Sequence, residues 1–112
     1  SHRAGDRLLV EVARRLQAAV GEDDVVARWG GDEFIVILPL TKHQALKVVQ
    51  RVIGEVSSKA LKLDQVAIEP RLSAGVAEWQ ANHSLEHTIS GADEALYEAK
   101  SSGGNTARLC MD

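Results

Sequence analysis

Residues 28 to 34 read Arg-Trp-Gly-Gly-Asp-Glu-Phe, which sets two glycines beside two consecutive carboxylates. On a strand, Asp32 and Glu33 would point to opposite faces. In a tight turn they splay, one toward a metal and the other toward a neighbouring group. Hard cations such as Mg²⁺ take carboxylate oxygen and bridge to substrate phosphates. Gly30 and Gly31 carry no Cβ, so phosphate oxygens can come close to the backbone. The turn therefore suits a metal-bound triphosphate. Read by themselves, the same residues also make a polar turn that keeps a hairpin soluble.

Other polar groups say less. Asp6 lies where the first turn of a helix favours an acid through the helix dipole. Lys100 lies toward the end of a helix, where a lysine is favoured and usually solvated. His2, His43, His83 and His87 do not form a metal-ligand pattern. His83 and His87 are spaced to share a helix face but lack a third ligand for zinc. Cys110 is the only cysteine, so no disulfide forms within the chain, which suits a reducing compartment.

The elements that must hold these groups follow from apolar spacing. From Ala4 to Val20, Leu8, Leu9, Val12, Ala13, Leu16, Ala19 and Val20 make one helix face. Arg7, Glu11, Arg14, Arg15 and Gln17 fall mostly on the other side, and Gly21 ends the helix. Val25–Trp29 and Phe34–Leu38 read as the two strands of a hairpin around the acidic turn. The unbroken FIVIL run of the second strand predicts cover on both faces. Thr41 and Gln44 form a capping box for a helix to about Ser57. Within 60–80, Leu61 and Leu63 suggest a short strand. Val66, Ile68, Leu72, Ala74 and Val76 suggest a longer one, bulged near Pro70. Ser84 caps a last helix with Leu85, Ile89, Ala92, Ala95, Leu96 and Ala99 as its stripe. Gly103 and Gly104 end it, and a strand over Thr106–Cys110 closes the chain. Asp93 and Tyr97 read as structural, the tyrosine ring packing partly in the core.

The order α, β-hairpin, α, β, α, β predicts an α+β sandwich, antiparallel strands on one face and helices on the other. The 112 residues suit one domain, and 45% hydrophobic content supports a packed core. A formal charge of −3 argues against a nucleic-acid partner. No apolar run is long enough to span a bilayer.

The chain resembles the GGDEF family, the diguanylate cyclases. RWGGDEF is the signature itself. His2-Arg3-Ala4-Gly5-Asp6 looks like the family's G-H-x-x-G-D stretch without its leading glycine. Leu72–Ala77 resembles the S-x-G-x-A strand, Ala92–Lys100 the A-D-x-A-L-Y-x-A-K helix, and Gly103-Gly104-Asn105 the G-R-N after it. The resemblance implies a ferredoxin-like, nucleotidyl-cyclase palm fold. It implies condensation of two GTP molecules to cyclic di-GMP and pyrophosphate in a homodimer, with Mg²⁺ or Mn²⁺ bridging the phosphates. The implied setting is a cytoplasmic output domain behind a sensor or receiver domain, with no direct membrane contact. By position, Asp32 matches the metal-binding acid and proton acceptor, and Glu33 the second catalytic, metal-supporting acid. Gly30 and Gly31 lie under the phosphates. Asp6 reads the guanine edge, His2 is a further substrate contact, and Lys100 meets the terminal phosphates.

The pattern also departs from the family. No counterpart of the D-x-D-x-F-K-x-x-N-D stretch is present. The expectation is therefore a partial GGDEF domain over 1–112, lacking its first strand and helix and inactive alone. Gly21 stands where the R-x-x-D product-inhibition site has arginine, with Asp24 at its aspartate. Gly104 replaces the arginine of G-R-N. The alternative function is a regulatory module that binds GTP without turnover and controls an attached domain such as a phosphodiesterase.

Overall fold

In the computed structural model, residues 2–111 are described, with side chains from Gly5 onward. Three helices and six short strands occur in the order α1 (His2–Ala19), β1 (Val25–Gly30), β2 (Glu33–Ile37), α2 (Lys42–Ser57), β3 (Leu61–Leu63), β4 (Val66–Ile68), β5 (Ala74–Val76), α3 (Leu85–Ser101) and β6 (Ala107–Leu109). This is the α+β composition the sequence predicts. The chain divides into two compact units: residues up to Pro39 with Gly54–Pro70, and Leu40–Ile53 with Arg71 onward.

The first unit contains α1, the β1–β2 hairpin, the last turn of α2 and the β3–β4 hairpin. Val12 and Leu16 are buried on α1, as are Val56, Leu61 and Leu63. The expected outward face of α1 is corrected at Arg15, while Arg7 is exposed as expected. Arg15 is largely covered, its side chain 20% exposed, and it donates to the carbonyls of Val56 (2.7 Å) and Lys59 (2.6 Å). A helix leaves its last carbonyls without intrahelical partners, and a guanidinium there satisfies them and suits the dipole. Arg7 reaches Asp64 at 2.9 Å.

Asp64 and Gln65 adopt φ of 50° and 71°. Positive φ at both central residues is the requirement of a two-residue hairpin turn with matching twist. It joins β3 and β4 antiparallel, Leu61 opposite Ile68. The expected long strand over 66–76 is thus two short ones, in separate sheets. Pro70 has no N–H to donate, and Leu72 sends its own to the Asn105 side chain at 3.3 Å.

In the second unit, α2 begins with the predicted capping box. The Thr41 amide donates to Gln44 Oε1 (3.1 Å) and the Gln44 amide to Thr41 Oγ1 (3.4 Å). Ser84 caps α3 by accepting from the His87 amide at 3.0 Å. α3 is the 17-residue crossover between β5 and β6, so these strands pair parallel, Gly75 opposite Arg108. The β1–β2 and β3–β4 pairs are antiparallel, so the strands are antiparallel-rich, as expected. Val76, Ala95, Ala99 and Ala107 are buried here. Gly75 lets β5 touch α3, since a Cβ there would sit 1.9 Å from the Ala92 carbonyl oxygen. Gly103 and Gly104 end α3 with φ of 116° and 74°, the Gly104 amide returning to Ala99 O at 3.0 Å.

Two burial expectations fail. Tyr97 is 73% exposed, on the solvent side of α3. The FIVIL run is not covered on both faces, and Ile37 is 57% exposed. Among the described residues α1 is the helix that touches this two-stranded sheet.

Candidate active site

The acidic turn ends the β1–β2 hairpin. Pairing runs from Val25–Ile37 through Val26–Val36 and Ala27–Ile35 to Arg28–Phe34, then slips so that Gly30 faces Glu33. Trp29 is the extra residue, a bulge that adds local twist beside the turn. Gly31 takes φ of 49°, a conformation that costs glycine nothing and a β-carbon something. A Cβ at Gly30 or Gly31 would meet no atom within 4 Å. Among the described residues packing does not require Gly30, and the space beside its backbone is open.

Asp32 is exposed and Glu33 half-buried. Among the described residues neither carboxylate has a hydrogen-bond or ion-pair partner. Two unpartnered carboxylates are the hard donors that Mg²⁺ or Mn²⁺ takes. Among the described residues no group of three potential ligands could enclose an ion.

One group at the turn escapes the sequence reading. The Arg28 guanidinium folds back along the hairpin and donates to the Gly31 carbonyl, from Nη2 at 2.6 Å and Nε at 3.0 Å. Its only signal in the sequence is a cation three residues before a turn glycine.

The remaining candidates belong to other elements. Asp6 is exposed on α1 and lines a groove of about 610 Å³ with Val10, Glu11, Lys62 and Leu63. None of the turn residues lines it. A smaller groove of about 230 Å³ runs between α1 and the hairpin, lined by Leu9, Ala13, Val26, Arg28 and Phe34 among others. Lys100 is exposed in the last turn of α3, in the second unit. Among the described residues its ammonium has no partner. The side chain of His2 lies outside the described residues.

With this geometry in hand, the family model for the diguanylate cyclase GGDEF domain matches residues 2–106. The chain belongs to the GGDEF family of diguanylate cyclases. Diguanylate cyclase A of Treponema denticola is 36% identical over 96% of this chain. Diguanylate cyclase DgcM of Escherichia coli K12 is 35% identical over 93%. This GGDEF chain spans only 30% and 25% of those relatives' lengths. Among solved structures, diguanylate cyclase SiaD of Pseudomonas aeruginosa, in complex with its activator SiaC, superposes with a TM-score of 0.90. It is 36% identical, with 96% of this chain and 42% of that one covered. The GGDEF domain of DgcB from Caulobacter crescentus, solved with c-di-GMP, gives 0.84 at 27% identity, covering 99% and 67%. The palm fold read from the sequence is thus the fold of the molecule.

Proposed function

We propose that this GGDEF domain is the catalytic domain of a diguanylate cyclase, condensing two GTP molecules to cyclic di-GMP and pyrophosphate. The observation that carries the reading is the Gly30–Glu33 turn. It presents two carboxylates that have no partner among the described residues, next to backbone left open by two glycines. The open backbone admits the phosphates, and Asp32 and Glu33 hold the divalent ion. When bound, the ion neutralises charge on the phosphoryl oxygens. Asp32 accepts the proton of the attacking 3′-hydroxyl, which displaces pyrophosphate at the α-phosphorus of the second GTP; the reciprocal attack closes the ring and releases a second pyrophosphate. The Asp6 carboxylate matches the N–H and amino donors of guanine. Lys100 and His2 take the remaining substrate contacts. Each domain holds one GTP, so two copies must face each other to bring nucleophile and phosphorus together.

The 112 residues are a single domain in this reading. The decisive assay supplies GTP and Mg²⁺ to the full-length chain and follows cyclic di-GMP by chromatography. Product that disappears with Asp32→Asn supports the reading; unchanged product defeats it.

A second reading rests on Gly104, which leaves the helix-ending loop without a cation at the family's arginine position. A GTP-binding regulatory domain would bind nucleotide in the same assay and release no product.

A further inference from the structure

We propose that Arg28 is a positioning residue for the acidic turn, acting through the Gly31 carbonyl. The inference rests on the function proposed above.

Two donors of one guanidinium meet a single acceptor, at 2.6 and 3.0 Å. The fork is planar and pre-organised, so two bonds hold the acceptor's direction as well as its distance. The peptide joining Gly31 to Asp32 is itself planar and trans, with its N–H opposed to its C=O. Holding the Gly31 oxygen therefore also sets the Asp32 amide, which points away from Arg28. It fixes the plane from which the Asp32 side chain departs.

The turn needs such a constraint. Gly31 has no side chain to restrict it, and nothing lies within 4 Å of where its Cβ would be. Trp29 interrupts the ladder one residue earlier, so regular pairing resumes only at Gly30 and Glu33. Among the described residues neither acid's carboxylate has a partner. Among the described residues, the Arg28 bonds are the only side-chain hydrogen bonds made to the turn. Arg28 and Gly31 are both exposed, so losing these bonds loosens the turn and leaves the fold standing.

Three variants of the full-length chain separate this role from a simple charge effect. Arg28→Gln puts an amide nitrogen where Nε stands, keeping one donor and no charge. Arg28→Met has similar reach and no donor. Arg28→Lys keeps the charge without the fork. With GTP and Mg²⁺, Arg28→Met is expected to lower kcat about 10- to 100-fold, with KM for GTP within about threefold. Arg28→Gln should stay within about threefold of wild type, and Arg28→Lys should fall between. The Asp32 amide resonance should move in the Met variant and return toward its place in the Gln variant. If Gln falls as far as Met while Lys matches wild type, the charge acts directly and the proposal fails. It fails alone if wild type is active and Met is indistinguishable from it. A wild-type chain that makes no product removes the proposed function and this inference together.

Discussion

The Asp24 carboxylate accepts a hydrogen bond from the Gly21 amide at 2.7 Å, while the Asp24 amide returns one to the Gly21 carbonyl at 3.1 Å. This closed loop ends α1 and launches β1. The aspartate at that position of the family's product-inhibition pattern thus has one carboxylate oxygen in a local turn. Its arginine partner is replaced by a glycine without a guanidinium for bidentate recognition. Asp24→Ala should cost about 1 kcal/mol of stability and leave cyclic di-GMP affinity weak and unchanged. Calorimetry on the full-length chain checks both, and submicromolar binding that depends on Asp24 would contradict the second.

Asp32→Asn and Glu33→Gln remove charge from side chains that have no hydrogen-bond or ion-pair partner among the described residues. Both variants should melt within about 2 °C of wild type. Cyclic di-GMP production should drop at least about 100-fold for Asp32→Asn and less for Glu33→Gln. A thermal scan beside the turnover assay separates loss of fold from loss of chemistry.

Gly30→Ala tests the cradle from the opposite direction. Its backbone is not in the left-handed region, and the added methyl meets nothing within 4 Å. Stability should hold or rise by up to about 1 kcal/mol. Binding of Mg²⁺-GTP should weaken by about tenfold or more, because the methyl occupies the path of the phosphates. Equal affinity in the variant would remove the glycine from the site.

Gly75→Ala is the structural counterpart. The new carbon would lie 1.9 Å from Ala92 O and 2.5 Å from the Leu96 amide nitrogen. Both are backbone atoms of α3 that cannot turn aside, so β5 and α3 must separate. A loss of about 3 kcal/mol in urea unfolding is expected.

Arg15→Met should cost about 1–3 kcal/mol in the same experiment. It strands the Val56 and Lys59 carbonyls while keeping the aliphatic packing of the stem. Arg15→Lys should recover part of the loss.

Much of this architecture can be read from residue order, because local chemistry decides it. The Thr41–Gln44 box, the Ser84 cap and the glycines after α3 each act within a few residues. The acidic hairpin is legible for the same reason. What spacing does not reveal depends on distant partners. Arg15 looks like a solvent-facing residue until the end of α2 arrives beside it. Alternation over 66–76 looks like one strand until Asp64 and Gln65 reverse the chain and Pro70 withholds a donor. Tyr97 belongs to the family's helix pattern, yet its ring faces water. The FIVIL run has buried-strand composition, but the described hairpin supplies a packing partner on one face. At the site, residue type marked the acids and glycines. The Arg28 contact required coordinates, since a side chain curling back on its own turn leaves no periodic trace.

Trp29, displaced from the ladder next to Gly30, is 58% exposed in the first unit, and Trp79 is 64% exposed in the second, its indole N–H on the His83 carbonyl at 3.0 Å. The chain has no other tryptophan. Replacing either by phenylalanine leaves a single fluorophore, so emission and acrylamide quenching can follow each unit separately. The bulge thereby gives the acidic turn an intrinsic optical label, adjacent to where nucleotide would dock and requiring no dye.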